Sequence, residues 1–203
     1  MLEIVILAAG SSTRLGKSKQ LLMINNEALV CKAAKVASEV SEIFKLNNPV
    51  VVVGKDSEKV KSVLVSSGVS TIYNPKWRDG MGYSIASAVN NINVEASAVL
   101  FMTCDQVLIN SETLKSLIGY WLLTPEQIVA SSYNETIGIP VIFPARYFKE
   151  LSQLNSDKGA RGLLNKYKND VMIFDLPSAA QDLDTLEDEV IVRKLLAKEV
   201  GLN

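Results

Sequence analysis

The fold of this chain is decided by residues 2–19, which read LEIVILAAGSSTRLGKSK. The first part is a nearly continuous apolar run, and such a run is typical of a strand buried on both faces of a parallel sheet. Small residues and two glycines follow, together with one arginine and two lysines. Because small residues let a backbone approach an anion closely and cations offset its charge, the segment predicts a strand that ends in a phosphate-binding loop.

The tripeptide Gly16-Lys17-Ser18 imitates the end of a Walker A loop, whose pattern is G-x-x-x-x-G-K-[ST]. That pattern requires a glycine where this chain has Ser11. Gly10 lies one residue too early, so the lysine would be out of register with a β-phosphate. We therefore reject a Walker A loop and expect the Lys17 side chain to be solvated.

An ordinary strand-to-helix connection with a charged, exposed face is the alternative for this loop. Gly10 alone fits that alternative, because glycines at strand ends are common. The combination of Arg14, Gly16 and Lys19 instead favours phosphate binding.

Residues 7–22 resemble the signature of the molybdenum cofactor nucleotidyltransferases, most closely the molybdopterin cytidylyltransferase branch. Every fixed position of L-A-A-G-x-S-x-R-x-G-x-x-K-x-L-L is matched. The guanylyltransferase branch usually carries glycine in place of Ala9, which favours cytosine as the base here. The resemblance implies catalytic roles for Arg14 and Lys19 and a nucleotide site that includes Leu7, Ala8, Ala9, Gly10, Ser11 and Ser12.

The composition excludes several classes of protein. The chain has 203 residues and no histidine, which removes Ser-His-Asp hydrolysis and histidine metal sites. A net charge of −1 gives no broad electrostatic reason to bind nucleic acid or an anionic membrane. No apolar run approaches the ~18 residues of a membrane span. Cys31 and Cys104 are too few for a disulfide framework, so we expect a cytoplasmic protein.

Apolar runs alternate with helical stretches along the chain, which predicts an α/β fold with a mostly parallel sheet. We expect a Rossmann-like three-layer α/β/α sandwich, similar to the nucleotide-diphospho-sugar transferases, as a single domain over residues 1–203. The predicted strands are Leu2–Ala8, Val50–Val53, Thr71–Tyr73, Ala98–Met102, Ile128–Ser131, Val141–Phe143 and Val171–Phe174. The predicted helices are Glu27–Glu42, Asp56–Ser66, Tyr83–Asn91, Ser111–Leu122, Ala145–Leu154, Ala160–Tyr167 and Thr185–Lys198. Residues 131–146 are expected to leave the parallel pattern as an antiparallel edge or hairpin.

Asp105 follows the predicted strand Ala98–Met102 and so lies at the sheet edge that also carries the Gly10 loop. Mg²⁺ binds carboxylate and phosphate oxygens and keeps several waters, so one or two carboxylates suffice. A strand-terminal aspartate can instead cap a turn. Residues 104–106 are similar to the C-D-Q metal motif of the family, and this resemblance implies a Mg²⁺ ligand at Asp105.

A second acidic segment, residues 182–188, resembles the D-x-D-T-P-E-D segment of the family, with Leu186 in place of the proline. Asp182 and Asp184 alternate in an extended segment and therefore point to the same side. Either can complete the metal site, and we favour Asp184. Glu187 and Asp188 are expected to complement the dipole of the last helix.

Residues 74–85 resemble the family stretch N-P-x-W-x-x-G-M-x-x-S-L, which encloses the nucleotide. The candidate nucleotide-binding residues here are Gly80, Met81 and Ser84, although a G-x-G pattern alone is most often a turn.

Two further motifs concern the acceptor. Residues 138–141 are similar to the family motif G-H-P-V but carry Ile139 in place of the histidine, so the identity of the acceptor stays open. Residues 157–161 match the family motif D-K-G-A-R, with a solvated helix N-terminus as the alternative. The candidate acceptor-binding residues are Gly138, Pro140, Lys158 and Arg161.

The resemblance implies a nucleotidyl transfer that requires Mg²⁺. The phosphate of an acceptor attacks the α-phosphorus of a nucleoside triphosphate, with CTP favoured, and pyrophosphate leaves. The implied acceptor is a molybdopterin-type phosphate, and a client molybdoenzyme would receive the dinucleotide cofactor. Two alternatives stay open, a sugar-phosphate nucleotidyltransferase and a non-catalytic nucleotide-binding chaperone for molybdoenzymes. Arg14, Lys19 and Asp105 argue against the chaperone.

Overall fold

A seven-stranded sheet forms the centre of the protein in the computed structural model, which describes residues 1–10 and 15–199. The strands are β1 (Leu2–Ala8), β2 (Met23–Ile24), β3 (Glu27–Ala28), β4 (Val50–Val53), β5 (Ser70–Tyr73), β6 (Ala98–Thr103), β7 (Ile128–Tyr133), β8 (Thr136–Pro144) and β9 (Val171–Asp175). The sheet order is β5-β4-β1-β6-β8-β7-β9, while β2 and β3 form a separate two-stranded ribbon. Strand β1, buried along its whole length, therefore lies near the middle of the sheet.

Most neighbouring strands are parallel. Strand β1 pairs in parallel with β4 and β6, β4 pairs with β5, and β7 pairs with β9. The exception is β8, which is antiparallel to both β6 and β7. The predicted departure from the parallel pattern is thus a β7–β8 hairpin, but β8 lies inside the sheet and not at its edge. This position brings the start of β8 beside the residues that follow β6.

Helices cover both faces of the sheet. They are α1 (Leu29–Phe44), α2 (Ser57–Leu64), α3 (Met81–Val89), α4 (Ser111–Trp121), α5 (Phe148–Leu151), α6 (Arg161–Lys166) and α7 (Leu186–Glu199). Successive residues of a strand point to opposite faces. Ile4 and Ile6 accordingly pack with α1, α2 and α4, whereas Val5 and Leu7 pack with α3, α5 and α6. The predicted Rossmann-like three-layer sandwich is confirmed.

The chain between the Gly10 loop and α1 differs from the prediction. The helix expected from Glu27 begins only at Leu29, because Glu27–Ala28 pairs with Met23–Ile24 as a ribbon. The two residues between these strands, Asn25 and Asn26, both have positive φ, which is the geometry of a tight type I′ hairpin turn. A 3-10 turn, Lys19–Leu21, precedes the ribbon.

A third, smaller core attaches α7 to this region. Its buried members are Leu15, Leu22, Ile24, Leu29, Val107, Leu183, Val192 and Leu196. The core thus holds the segment before α7 against the ribbon and the residues after β6. Over residues 1–10 and 15–199, no helix is both long and apolar enough to cross a membrane.

Candidate functional site

Three charged residues far apart in sequence meet beyond the carboxyl ends of β1 and β6. Lys19 Nζ lies 2.7 Å from Asp105 Oδ2 and also pairs with Asp184 Oδ1. Burial lowers the pKa of Lys19, but Asp105 and Asp184 outweigh this effect and raise it above its ordinary value. A lasting positive charge therefore sits between two carboxylates at neutral pH.

Backbone contacts hold the acidic segment beside β6. Leu183 N donates to Asp105 O at 3.1 Å, and residues 106 and 182 form an isolated antiparallel bridge. At the start of α7, the Asp188 carboxylate accepts from Thr185 N at 2.7 Å and from Asp184 N at 3.0 Å. The segment that carries Asp182 and Asp184 is thus anchored at both ends.

The carboxylates suit a hard cation such as Mg²⁺. Asp105 Oδ1 is buried and has no hydrogen-bond partner in the described part of the chain. Partial burial and the charge of Asp105 raise the pKa of Asp182 to about 6, so a cation at this place would relieve an unfavourable charge. Residues 1–10 and 15–199 contain no group of three acidic or thiol side chains arranged as a complete metal site. Mg²⁺ commonly uses only one or two carboxylates together with substrate phosphates, so the residues present fit it.

A cavity of about 770 Å³ opens beside these charges and is called the larger cavity below. Among its lining residues are the predicted nucleotide-binding residues Leu7, Ala8, Ala9, Gly10, Gly80, Met81 and Ser84, and the charged residues Lys19, Asp105, Asp182 and Asp184. The other predicted residues of the loop, Ser11, Ser12 and Arg14, lie outside the described residues.

Several residues that line the larger cavity were not predicted from the sequence, and two of them contact each other. Trp77 and Arg78 line it, and the Arg78 guanidinium stacks 4.2 Å from the centre of a Trp77 ring. The tryptophan of the N-P-x-W motif was the feature of the sequence that could have indicated this contact with the cavity. On the same segment, buried Asn74 donates from Nδ2 to Ser84 Oγ at 3.0 Å and so orients that hydroxyl.

A smaller cavity of about 140 Å³ shares the lining residues Asp105 and Asp182 with the larger one. Its lining includes the predicted acceptor-binding residues Gly138, Lys158 and Arg161 and the apolar side chains Ile85, Ile139, Val141 and Leu164. Pro140 is not among the lining residues. It is buried behind this wall, where its carbonyl accepts from Ser131 Oγ at 2.6 Å.

Two glycines allow two chain segments beside the larger cavity to approach closely. Gly82 N donates to Ser156 O at 2.8 Å, and a Cβ at Gly82 would lie only 2.6 Å from that oxygen. A Cβ at Gly80, whose φ is +121°, would lie 2.5 Å from Asp157 Cα. The residues 80–82 segment therefore packs directly on the residues 156–157 segment, an approach that requires glycine.

Gln106 is a further residue that the sequence reasoning missed. It is 5% exposed, and its Nε2 donates to Ile139 O at 2.9 Å and to Ala179 O at 3.0 Å. The side chain thus ties the wall of the smaller cavity to the segment that leads to Asp182. The only signal in the sequence was its place directly after Asp105 in C-D-Q.

Residues 4–171 match the family described as the MobA-like NTP transferase domain. The chain belongs to this family. Since the match spans more than half of the chain, the resemblance to molybdenum cofactor nucleotidyltransferases is confirmed at the level of the family, whereas the choice of base and acceptor is a separate question.

Similar proteins include enzymes and a protein of purine catabolism. Purine catabolism protein PucB of Bacillus subtilis (strain 168) is 24% identical over 205 residues, 95% of this chain and 96% of that protein. A probable molybdenum cofactor guanylyltransferase of Synechococcus elongatus is 29% identical over 101 residues, or 50% of this chain and 48% of that protein. The chain thus spans about half the length of this second relative.

The fold of this MobA-like chain is also similar to solved structures. Rv0371c from Mycobacterium tuberculosis H37Rv superposes with a TM-score of 0.78 at 24% identity, covering 95% of this chain and 97% of that one. Rv0371c has also been solved in complex with manganese. At this level of identity the likeness establishes the fold alone.

Proposed function

We propose that this MobA-like protein transfers CMP from CTP to the phosphate of molybdopterin, with Mg²⁺ as cofactor and release of pyrophosphate. The observation that carries the proposal is the shared wall of the two cavities, because Asp105, Asp182 and Arg161 line both. A nucleotide in the larger cavity and an acceptor in the smaller one would meet at the carboxylates. Such placement of two reactants is the main source of rate in a transfer between phosphates.

The acceptor phosphate attacks the α-phosphorus, the bond between the α-phosphorus and the bridging oxygen breaks, and pyrophosphate departs. No protein nucleophile is needed, because a phosphomonoester is already ionised at neutral pH. Cys104 is unsuited to that role, since burial raises the pKa of its thiol to about 12.

The residues of the chain then stabilise charge. The Lys19 ammonium pairs with Asp105 and Asp184. The α-phosphate of a bound nucleotide would compete with these two carboxylates for the ammonium and be stabilised by it. Arg14 is assigned to the departing phosphates from its place in the loop sequence. A bound Mg²⁺, held by Asp105 and by Asp184 or Asp182, would supply Lewis-acid and orienting chemistry.

The acceptor end offers two cations for a phosphate. Lys158 and Arg161 line the smaller cavity, and neither forms an ion pair within the described ranges. Arginine and lysine are the residues that most often bind phosphate oxygens. Gly138, which has no side chain, lines the same cavity. We assign the acceptor phosphate to Lys158 and Arg161.

The choice of substrates rests on the sequence and on the relatives. Ala9 supports CTP over GTP, and the name of the Synechococcus relative supports an acceptor of the molybdenum cofactor type. The two free cysteines support a cytoplasmic location, where a client molybdoenzyme would receive the product.

A screen of the four nucleoside triphosphates with Mg²⁺ and molybdopterin, read out as pyrophosphate release, tests the proposal. We expect release with CTP and molybdopterin together and with neither alone. Release with a sugar phosphate in place of molybdopterin would establish a sugar-phosphate nucleotidyltransferase. CTP binding without release with any acceptor would establish a nucleotide-binding chaperone and overturn the proposal.

A further inference from the structure

Gln20 is a buried polar residue whose side chain bonds to the end of the central strand. It is the middle residue of the 3-10 turn Lys19–Leu21 and is only 2% exposed. Its Nε2 donates to Ala8 O and to Gly10 O, each at 2.8 Å. Its Oε1 accepts from Ser18 Oγ at 3.1 Å. Both amide hydrogens of Gln20 are therefore donated to backbone carbonyls, which belong to the residues on either side of Ala9.

The carbonyl between these two is also bonded within the protein. Lys55 N donates to Ala9 O at 3.5 Å, and this contact depends on Gly54, because a Cβ there would lie 2.6 Å from the same oxygen. Three successive carbonyls at the end of β1 thus accept hydrogen bonds from the protein. Because a carbonyl oxygen carries partial negative charge, one that turned toward a bound phosphate would repel it.

The residues that carry these carbonyls lie beside the larger cavity. Ala8, Ala9, Gly10 and Gln20 all line it. The neighbour of Gln20 in the turn is Lys19, which contacts Asp105 and Asp184. The turn Lys19–Leu21 therefore makes two kinds of contact: Gln20 binds the backbone at the end of β1, and Lys19 binds the two carboxylates. Because the two residues are adjacent, the position of Lys19 depends on how Gln20 is held.

We propose that Gln20 is a positioning residue for the phosphates of the nucleotide. By donating to the carbonyls of Ala8 and Gly10 it keeps these oxygens turned toward its own amide and not toward a phosphate chain, and it sets the position of Lys19 relative to the end of β1. The inference rests on the larger cavity as the nucleotide site, which belongs to the proposed function. It concerns phosphate binding alone, so it holds for any base and any acceptor.

Pyrophosphate with Mg²⁺ is the probe, because it has neither base nor acceptor, and titration calorimetry gives its Kd. Gln20→Met keeps the size of the side chain but removes both donors, and Gln20→Glu replaces the donors with negative charge. We expect the Kd for pyrophosphate to rise about tenfold in Gln20→Met, because the released carbonyls of Ala8 and Gly10 can turn toward the phosphate and repel it, and to rise further in Gln20→Glu. Gln127→Glu, at a half-buried glutamine just before β7, is the matched control and leaves the Kd unchanged.

A pH series separates positioning from a loss of packing. The introduced carboxyl of Gln20→Glu regains one donor when it is protonated, so part of the lost affinity returns between pH 8 and pH 5 relative to the wild type. Gln20→Met shows no such recovery. Circular dichroism verifies that each variant is folded, and Gln20→Asn, whose shorter amide cannot reach both carbonyls, replaces any variant that is not.

Two results would overturn the inference. One is a folded Gln20→Met protein that binds pyrophosphate like the wild type, and the other is a wild-type protein that does not bind pyrophosphate at all. Failure of CMP transfer to molybdopterin in the turnover assay would instead overturn the proposed function and leave the result of this titration standing.

Discussion

The two ends of the cleft are built differently. The end around the larger cavity consists of small residues at the close of β1 and of charged side chains, Lys19 with Asp105 and Asp184. The end around the smaller cavity is made largely of apolar side chains from separate segments, with Lys158 and Arg161 among them. Backbone and charge at the first end suit any phosphate chain, whereas side-chain shape at the second suits a particular acceptor.

At each end a buried glutamine hydrogen-bonds to the backbone. Substituting the two glutamines separately therefore tests whether the two ends differ in function. Gln20 donates to Ala8 O and Gly10 O at the first end, and Gln106 donates to Ile139 O and Ala179 O at the second. If the two ends are separate in function, variants at each end should change different kinetic constants.

The largest effect is expected where the ends meet. Lys19→Ala or Asp105→Ala should lower turnover by about 100-fold or more, because each removes a preorganised electrostatic partner from a partly buried site. Steady-state pyrophosphate release measures this. Glu112→Ala and Lys115→Ala, which break an exposed pair on α4, serve as controls and leave turnover unchanged. Near-wild-type turnover in both folded site variants would defeat the assignment of the site.

A smaller and more selective effect is expected at the acceptor end. Gln106→Leu removes the bonds that hold the wall at Ile139, so the KM for molybdopterin should rise about tenfold while the KM for CTP changes by less than about twofold. Initial rates at varied concentrations of each substrate separate the two constants, with Gln127→Leu as the control. Equal rises in both KM values would show that the two ends are not separate.

The sequence predicted the parts of this molecule that depend on buried strands and on charge. Strands β1 and β4 match their predicted bounds, because each is an apolar run buried on both faces, interrupted only by Glu3 in β1. The rule that ligands bind at the carboxyl ends of parallel strands predicted that Asp105 and the loop with Lys19 would face one crevice. Asp184 was added to this site by the resemblance of residues 182–188 to the family motif, and it does pair with Lys19.

Other features gave no comparable signal. The outer half of β8, Thr136–Ile139, is polar or half-exposed and extends beyond the apolar run on which the prediction of residues 141–143 was based. The roles of Gln20 and Gln106 were missed for a different reason. Their partners are backbone carbonyls, which every residue has, so no residue type marks the position of the partner.

The contact between residues 80–82 and residues 156–157 can be loosened without changing a charge. Gly82→Ala places a Cβ 2.6 Å from Ser156 O, so the two segments must separate. We expect the free energy of unfolding to fall by about 1–3 kcal/mol and the Tm by roughly 2–12 °C. Gly119→Ala is the matched control, because a Cβ there meets nothing within 4 Å and alanine favours a helix, so its Tm should rise by about 2 °C. An unchanged Tm in Gly82→Ala would show that this close contact does not contribute to the stability of the fold.

The smallest effect concerns Asp182, one of the two carboxylates that line both cavities. The pKa of Asp182 is raised to about 6 by partial burial and by Asp105, so the folded state binds a proton more tightly than the unfolded chain does. This group therefore destabilises the fold above pH 6, where it is ionised in both states, and ceases to do so below its ordinary pKa of 3.8. In the absence of divalent cations, Asp182→Asn should raise the Tm at pH 8 by about 2–4 °C after allowance for solvent screening, and the gain should vanish near pH 4. Thermal unfolding of the wild type and of Asp182→Asn between pH 4 and pH 8 measures the difference in Tm. A higher Tm of the variant that persists at pH 4 would mean that the variant is stabilised by packing of the amide and not by the removal of a negative charge.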